Sequence, residues 1–330
     1  MDLQTLGAES NSQKSPALAR GRSHMGNVSL HVMRIINLLF FFAATMNAAA
    51  LDAVARIDEP VEGVRIFTCA HSFHVFVPAL LADIAKSAGI TNQVQLGVSY
   101  IGGSQVIQHW EKPDDQNLAK HFLRAGQVDV LTLSPIWLPD PGIEKFGEFA
   151  VAYNPRIRIL VQEFWLPNDV YDPVYPLKTH EKVDHNAATI PALKKQQDLY
   201  CQEMRQYLDG LNSKLGKNTF FLVPVGHAVI ALRDKIIKHE APGLNTQEDL
   251  FRDNWGHPQE PVRLLDAYCF FACIYHRSPV GLPPPANLKG KWDPKLIRLL
   301  QELAWDAVTH HPLTGFQENQ QSLSTSIHHH

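Results

Sequence analysis

Residues 64–74 read VRIFTCAHSFH, and the fold is decided there. The run 64–69 is short, apolar and rich in β-branched and aromatic side chains, which predicts a buried strand. The cluster Ala70-His71-Ser72-Phe73-His74 follows at once. Beyond it, Phe76, Leu80, Leu81, Ile84 and Ala88 recur at helical spacing over 75–88, and Gly89 ends the pattern. A strand that feeds a helix through a short turn is the first part of a βαβ unit.

The same alternation continues outward. Strands are predicted over 93–100, 128–133, 157–161 and 220–223. Helices are predicted over 118–125, 143–153, 192–215, 229–238, 261–275 and 294–309. Strands separated by helices of this length pair in parallel. The expected fold is a three-layer α/β/α sandwich around a five-stranded parallel sheet of flavodoxin-like type. Residues 165–189 break the rhythm with Pro167, Pro173 and Pro176 among Trp165, Tyr171 and Tyr175. Such a long aromatic segment is either a wall of a binding cleft or a surface excursion.

The chain has 330 residues, 45% of them apolar, enough for a sizeable core. Its net charge is −3 and no basic stripe occurs, which argues against nucleic acid as a partner. Residues 1–32 read as a leader that includes added polar sequence, and the chain closes on His328-His329-His330 within a tail over 316–330. Met33-Arg34, the apolar run 35–44 (IINLLFFFAA) and Ala48-Ala49-Ala50 form the three parts of a secretory signal peptide over 33–50. The run is too short for a membrane span, which needs about 20 apolar residues. A secreted or periplasmic protein with one domain over 51–315 is therefore expected, with no membrane span once the signal is removed. Cys69, Cys201, Cys269 and Cys273 lack metal-site spacing and read as mostly buried, structural residues.

In an open parallel sheet, ligands bind beyond the carboxyl ends of the strands. Ser72 lies just after the first strand, where its hydroxyl can face a cleft or merely cap the next helix. Gly102-Gly103 follows the second strand, either as a plain turn or as a backbone N–H donor to an oxyanion. Asp253-Asn254-Trp255-Gly256-His257-Pro258 lies late in the chain. A histidine there can take a serine proton while the aspartate fixes its tautomer.

This order of blocks resembles the SGNH hydrolase (GDSL esterase/lipase) superfamily over roughly 64–275. The resemblance implies a serine esterase with Ser72 as nucleophile and His257 and Asp253 as its partners. It implies an oxyanion hole that includes the N–H groups of Ser72 and Gly103. Three departures stand out. Ala70-His71 replaces the usual Gly-Asp before the serine. One extra residue separates Asp253 from His257. The asparagine usual after the third strand is missing from Ser134-Pro135-Ile136-Trp137.

His71, His74, Trp137 and Trp165 are the candidate substrate-binding residues. His71 and His74 could instead share a metal ion, although no third ligand stands nearby in sequence. No metal or cofactor is expected. His227 is a rival general base without a carboxylate close in sequence, and His109 reads as a rim or surface residue. The expected partner is a small-molecule or polymeric ester: a short acyl ester, an acylated glycan or a polyester-like polymer. The alternative is a non-catalytic glycan-binding protein on a degenerate scaffold of the same type.

Overall fold

A computed structural model describes residues 62–171, 183–288 and 290–316. These belong to one compact unit, Pro60–His330. The predicted leader and signal peptide lie outside the described residues, as does the tail beyond Phe316. Among the described residues no helix is long and apolar enough to cross a membrane.

Five strands form the sheet: β1 (Arg65–Ala70), β2 (Val94–Tyr100), β3 (Val130–Leu133), β4 (Arg158–Gln162) and β5 (Phe220–Val223). Their order is β2-β1-β3-β4-β5, and every pair is parallel. Parallel strands must be joined by crossovers, and helices supply them. The described helices are α1 (Val77–Ser87), α2 (Val106–Trp110), α3 (Leu118–Arg124), α4 (Pro141–Tyr153), α5 (Ile190–Leu215), α6 (Val225–Ile237), α7 (Glu260–Tyr275) and α8 (Pro294–His310). The three-layer α/β fold expected from the sequence is the fold observed.

Side chains on a strand alternate between faces, and β1 shows both layers. Phe67 meets Phe122 of α3 on one face. Thr68 turns to the other, where it accepts from Thr132, Thr132 bonds His74, and the His74 ring packs on Phe270 of α7. All four residues of β3 are buried, as a central strand covered on both sides requires. Residues 261–275 of α7 are nearly all buried, which explains why that segment carries no polar stripe.

Some boundaries differ from the sequence reading. The five-residue α2 is too short to show periodicity, and the sequence reading omits it. α4 begins at Pro141 because the Asp140 carboxylate caps it, accepting from the Gly142 N–H. α6 begins at Val225, four residues early. Gly226 there is no helix breaker but a contact point, since a Cβ would lie 2.2 Å from Gln197 Nε2.

Candidate active site

The turn after β1 is closed by its own backbone. The N–H groups of His74 and Val75 both donate to the His71 carbonyl, and α1 starts only at Val77 with Phe76 at its N-cap position. Ser72 is therefore not a helix cap, and its hydroxyl is left for another partner. That partner is His257, whose Nε2 lies 2.9 Å from Ser72 Oγ.

His257 occupies a tight hairpin-like loop. Phe251 and Pro258 form an antiparallel bridge, and the Arg252 N–H donates to the His257 carbonyl at 2.8 Å. Gly256 takes φ +75° to turn the chain, a value that costs a glycine nothing. This closure accommodates the three residues between Asp253 and His257. Asp253 Oδ2 lies 2.8 Å from His257 Nδ1, and Oδ1 also accepts from the N–H groups of Trp255 and His257. An ionised carboxylate only accepts, so Nδ1 carries the proton and Nε2 offers its lone pair to Ser72. Serine, imidazole and carboxylate thus stand in relay order through the two different ring nitrogens.

The turn after β2 leaves the sheet beside this serine. Ala70 pairs with Tyr100, and the Ile101 N–H donates to the Ala70 carbonyl at 3.1 Å. Gly103 follows, exposed, at φ +61° with no atom near the place of a Cβ.

His71 and His74 do not line the cleft. His71 is 1% exposed and His74 is fully buried. Burial first, then neighbouring imidazoles, pushes His71 down to about 3, and burial takes His74 to about 3 as well. The neutral His71 ring accepts from the Phe73 N–H at Nδ1, so Nε2 carries the proton and donates to Ser134 Oγ at 2.9 Å. It props the turn that carries Ser72 from below and ties it to the turn after β3. Both ring nitrogens of His71 are taken, by the Phe73 N–H and by Ser134, which leaves none for the metal ion that His71 and His74 could share.

Trp137 and Trp165 are also buried rather than cleft-facing. Trp165 donates from Nε1 to the Gly256 carbonyl at 2.8 Å and packs its ring on Phe73, which in turn lies 5.0 Å from the His257 ring. It steadies the histidine loop against the serine turn. Residues 172–182 of its aromatic segment, with Pro173, Tyr175 and Pro176, lie outside the described residues. His109 is buried, held between Ser99 and Ser104, not at the surface.

The sequence reading missed two carboxylate–histidine pairs. Asp169 and His185 lie beneath the histidine loop, where Arg233 binds both Asp169 oxygens and His185 Nε2 reaches the Asp253 carbonyl at 3.3 Å. Glu163, fully buried just after β4, bonds His227 Nδ1 at 2.7 Å, so His227 does have a carboxylate, supplied by a distant strand. Burial opposes charge on Glu163, yet the adjacent His227 imidazole brings it down to about 2. His227 is thereby committed away from Ser72.

No protein-family model and no curated protein matches this chain. A solved structure of a DUF4886 family protein from Bacteroides uniformis ATCC 8492 aligns over 75% of this chain and 95% of its own, at 14% identity and a TM-score of 0.49. A likeness at that level lends no weight to any function, and the site rests on its own geometry.

The site is open among the described residues. The Asp253 side chain is 43% exposed and that of His257 26%.

Proposed function

We propose that this protein is a serine esterase that hydrolyses carboxylic esters through an acyl-enzyme. The observation that carries this reading is His257 bridging Ser72 and Asp253 through opposite ring nitrogens. Ser72 Oγ attacks the ester carbonyl carbon as its proton passes to His257 Nε2. The new C–O bond leaves the carbonyl oxygen as an oxyanion. The C–O bond to the alcohol then breaks, and His257 returns the proton to the departing alcohol. Water repeats the attack on the acyl-enzyme with His257 again taking the proton, and the acid leaves as Ser72 recovers its hydrogen.

Backbone N–H groups answer the oxyanion. Those of Phe73, His74 and Val75 are spent within the turn, which leaves that of Ser72 as the donor at this position. Gly103 supplies the second from the adjacent turn. Asparagine is absent after β3, and Ser134 there is engaged by His71. With one donor fewer, catalysis is expected to run about 10²–10³ slower than with a full hole.

The substrate class is a short acyl ester, an acylated glycan or a polyester-like polymer. The segment 33–50 supports export to the periplasm or medium, which suits such substrates. The missing asparagine is the observation that favours the rival reading of a non-catalytic glycan-binding scaffold. Turnover of p-nitrophenyl acetate by wild type and Ser72→Ala separates the two. Loss of turnover in the variant supports the esterase; equal rates refute it.

A further inference from the structure

A cavity of about 720 Å³ opens between α5, α6 and the end of α8, and neither Ser72 nor His257 lines it. Cys201 on α5, His227 on α6 and His311 just beyond α8 all line it. Each offers one ligand atom, sulfur or imidazole nitrogen, and the three atoms lie within 4.8 Å of one another. The two imidazole rings are 5.5 Å apart and inclined at 65°, so they converge rather than stack. Behind them stands Glu163, which accepts from His227 Nδ1, from Gln197 Nε2 at 2.8 Å and from the Cys201 thiol.

A thiol beside a histidine and a glutamate suggests a second nucleophile, but the geometry is wrong for it. A relay needs the thiol on one ring nitrogen and the carboxylate on the other. Here Cys201 Sγ lies 3.7 Å from Nδ1, the same nitrogen that Glu163 holds. The thiol also spends its proton on Glu163, not on the imidazole.

We propose that Cys201, His227 and His311 bind one zinc ion, with the remaining coordination position open to the cavity. One sulfur and two imidazole nitrogens form a donor set that zinc takes in tetrahedral sites. Ligand atoms around such an ion stand about 3.5 Å apart, so the three must draw in from a spread of up to 4.8 Å, with His227 ligating through Nε2 because Glu163 holds Nδ1. Zinc replaces the Cys201 proton, which goes to solvent, and forms a Zn–S bond. A carboxylate behind a ligating histidine is the arrangement that fixes its orientation and raises its basicity. The ligands come from three elements far apart in sequence, so no local spacing announces them.

The test uses the full chain, stripped with a chelator, incubated with excess zinc sulfate, dialysed and assayed for bound zinc. Wild type should retain one equivalent more than His311→Gln, since the terminal His328–His330 run contributes equally to both. Cobalt-loaded wild type should show a thiolate-to-cobalt charge-transfer band in the near ultraviolet that Cys201→Ser lacks. Circular dichroism checks that both variants fold. A zinc-dependent rise in the wild-type melting temperature needs no variant at all. Equal zinc in wild type and His311→Gln, a cobalt spectrum without that band, or an unmoved melting temperature overturns the proposal.

Discussion

Nε2 of His257 lies 2.9 Å from Oγ of Ser72, although 185 positions separate the two in the chain. Only the sheet order and the hairpin-like loop around Gly256 bring them together. If this contact transfers a proton, the triad members act as a unit. Ser72→Ala and His257→Ala should each lower kcat by about 10³ or more, and the double variant should be no worse than either. Asp253→Asn should cost about 10³–10⁴, because an amide can impose the wrong tautomer on His257. Steady-state kinetics on folded variants check this, and additive losses would contradict it.

His71 works from beneath the turn. His71→Leu removes the acceptor of the Phe73 N–H and the donor to Ser134. Leaving those buried groups unpaired should lower stability by about 1–3 kcal/mol and slow ester turnover. Urea unfolding and kinetics on the same samples test this. An unchanged rate would show that the turn holds without the imidazole.

Trp165 acts on the other side of the contact. Trp165→Phe keeps most of the ring packing but deletes the bond to the Gly256 carbonyl. The loss should be about 0.5–1.5 kcal/mol in stability, with kcat falling and KM nearly constant. A KM effect without a kcat effect would recast Trp165 as a substrate contact.

Much of this arrangement is legible in the sequence. The strand–turn–helix over 64–88 shows because a buried parallel strand is continuously apolar while its helix is periodic. Ser72, Asp253 and His257 stand out together only through the family resemblance, since position after a strand leaves Ser72 as readily a helix cap. The buried polar layer does not show. His71 and His74 look like cleft residues because a polar side chain after a strand usually meets solvent, and only the three-dimensional fold reveals Ser134 and Thr132 beneath them. Glu163 and His227 are 64 positions apart, and local reading has no access to a pair made between the end of β4 and the start of α6.

His185 offers a pH signature. Burial lowers its affinity for a proton, but Asp169 more than offsets this and holds the imidazole above its ordinary value of 6.5. Its folded value is raised, so the pair's stabilisation is full below about pH 6.5 and fades as pH rises through the folded value. Burial works against charge on Asp169 too, yet His185 and Arg233 keep its carboxyl below 3.8, so that contribution fades only in stronger acid. His185→Gln should therefore be less stable than wild type at pH 5–6, with the gap narrowing towards alkaline pH. Denaturation across pH 5–9 measures it, and a constant gap would contradict the ion pair.

The most direct test of the central claim is labelling with a fluorophosphonate probe followed by mass mapping. Such probes report a serine whose hydroxyl is activated by a neighbouring base. The account predicts one modified residue, Ser72, with labelling abolished in His257→Ala. Modification of a different serine, or equal labelling of Ser72 without His257, would contradict it.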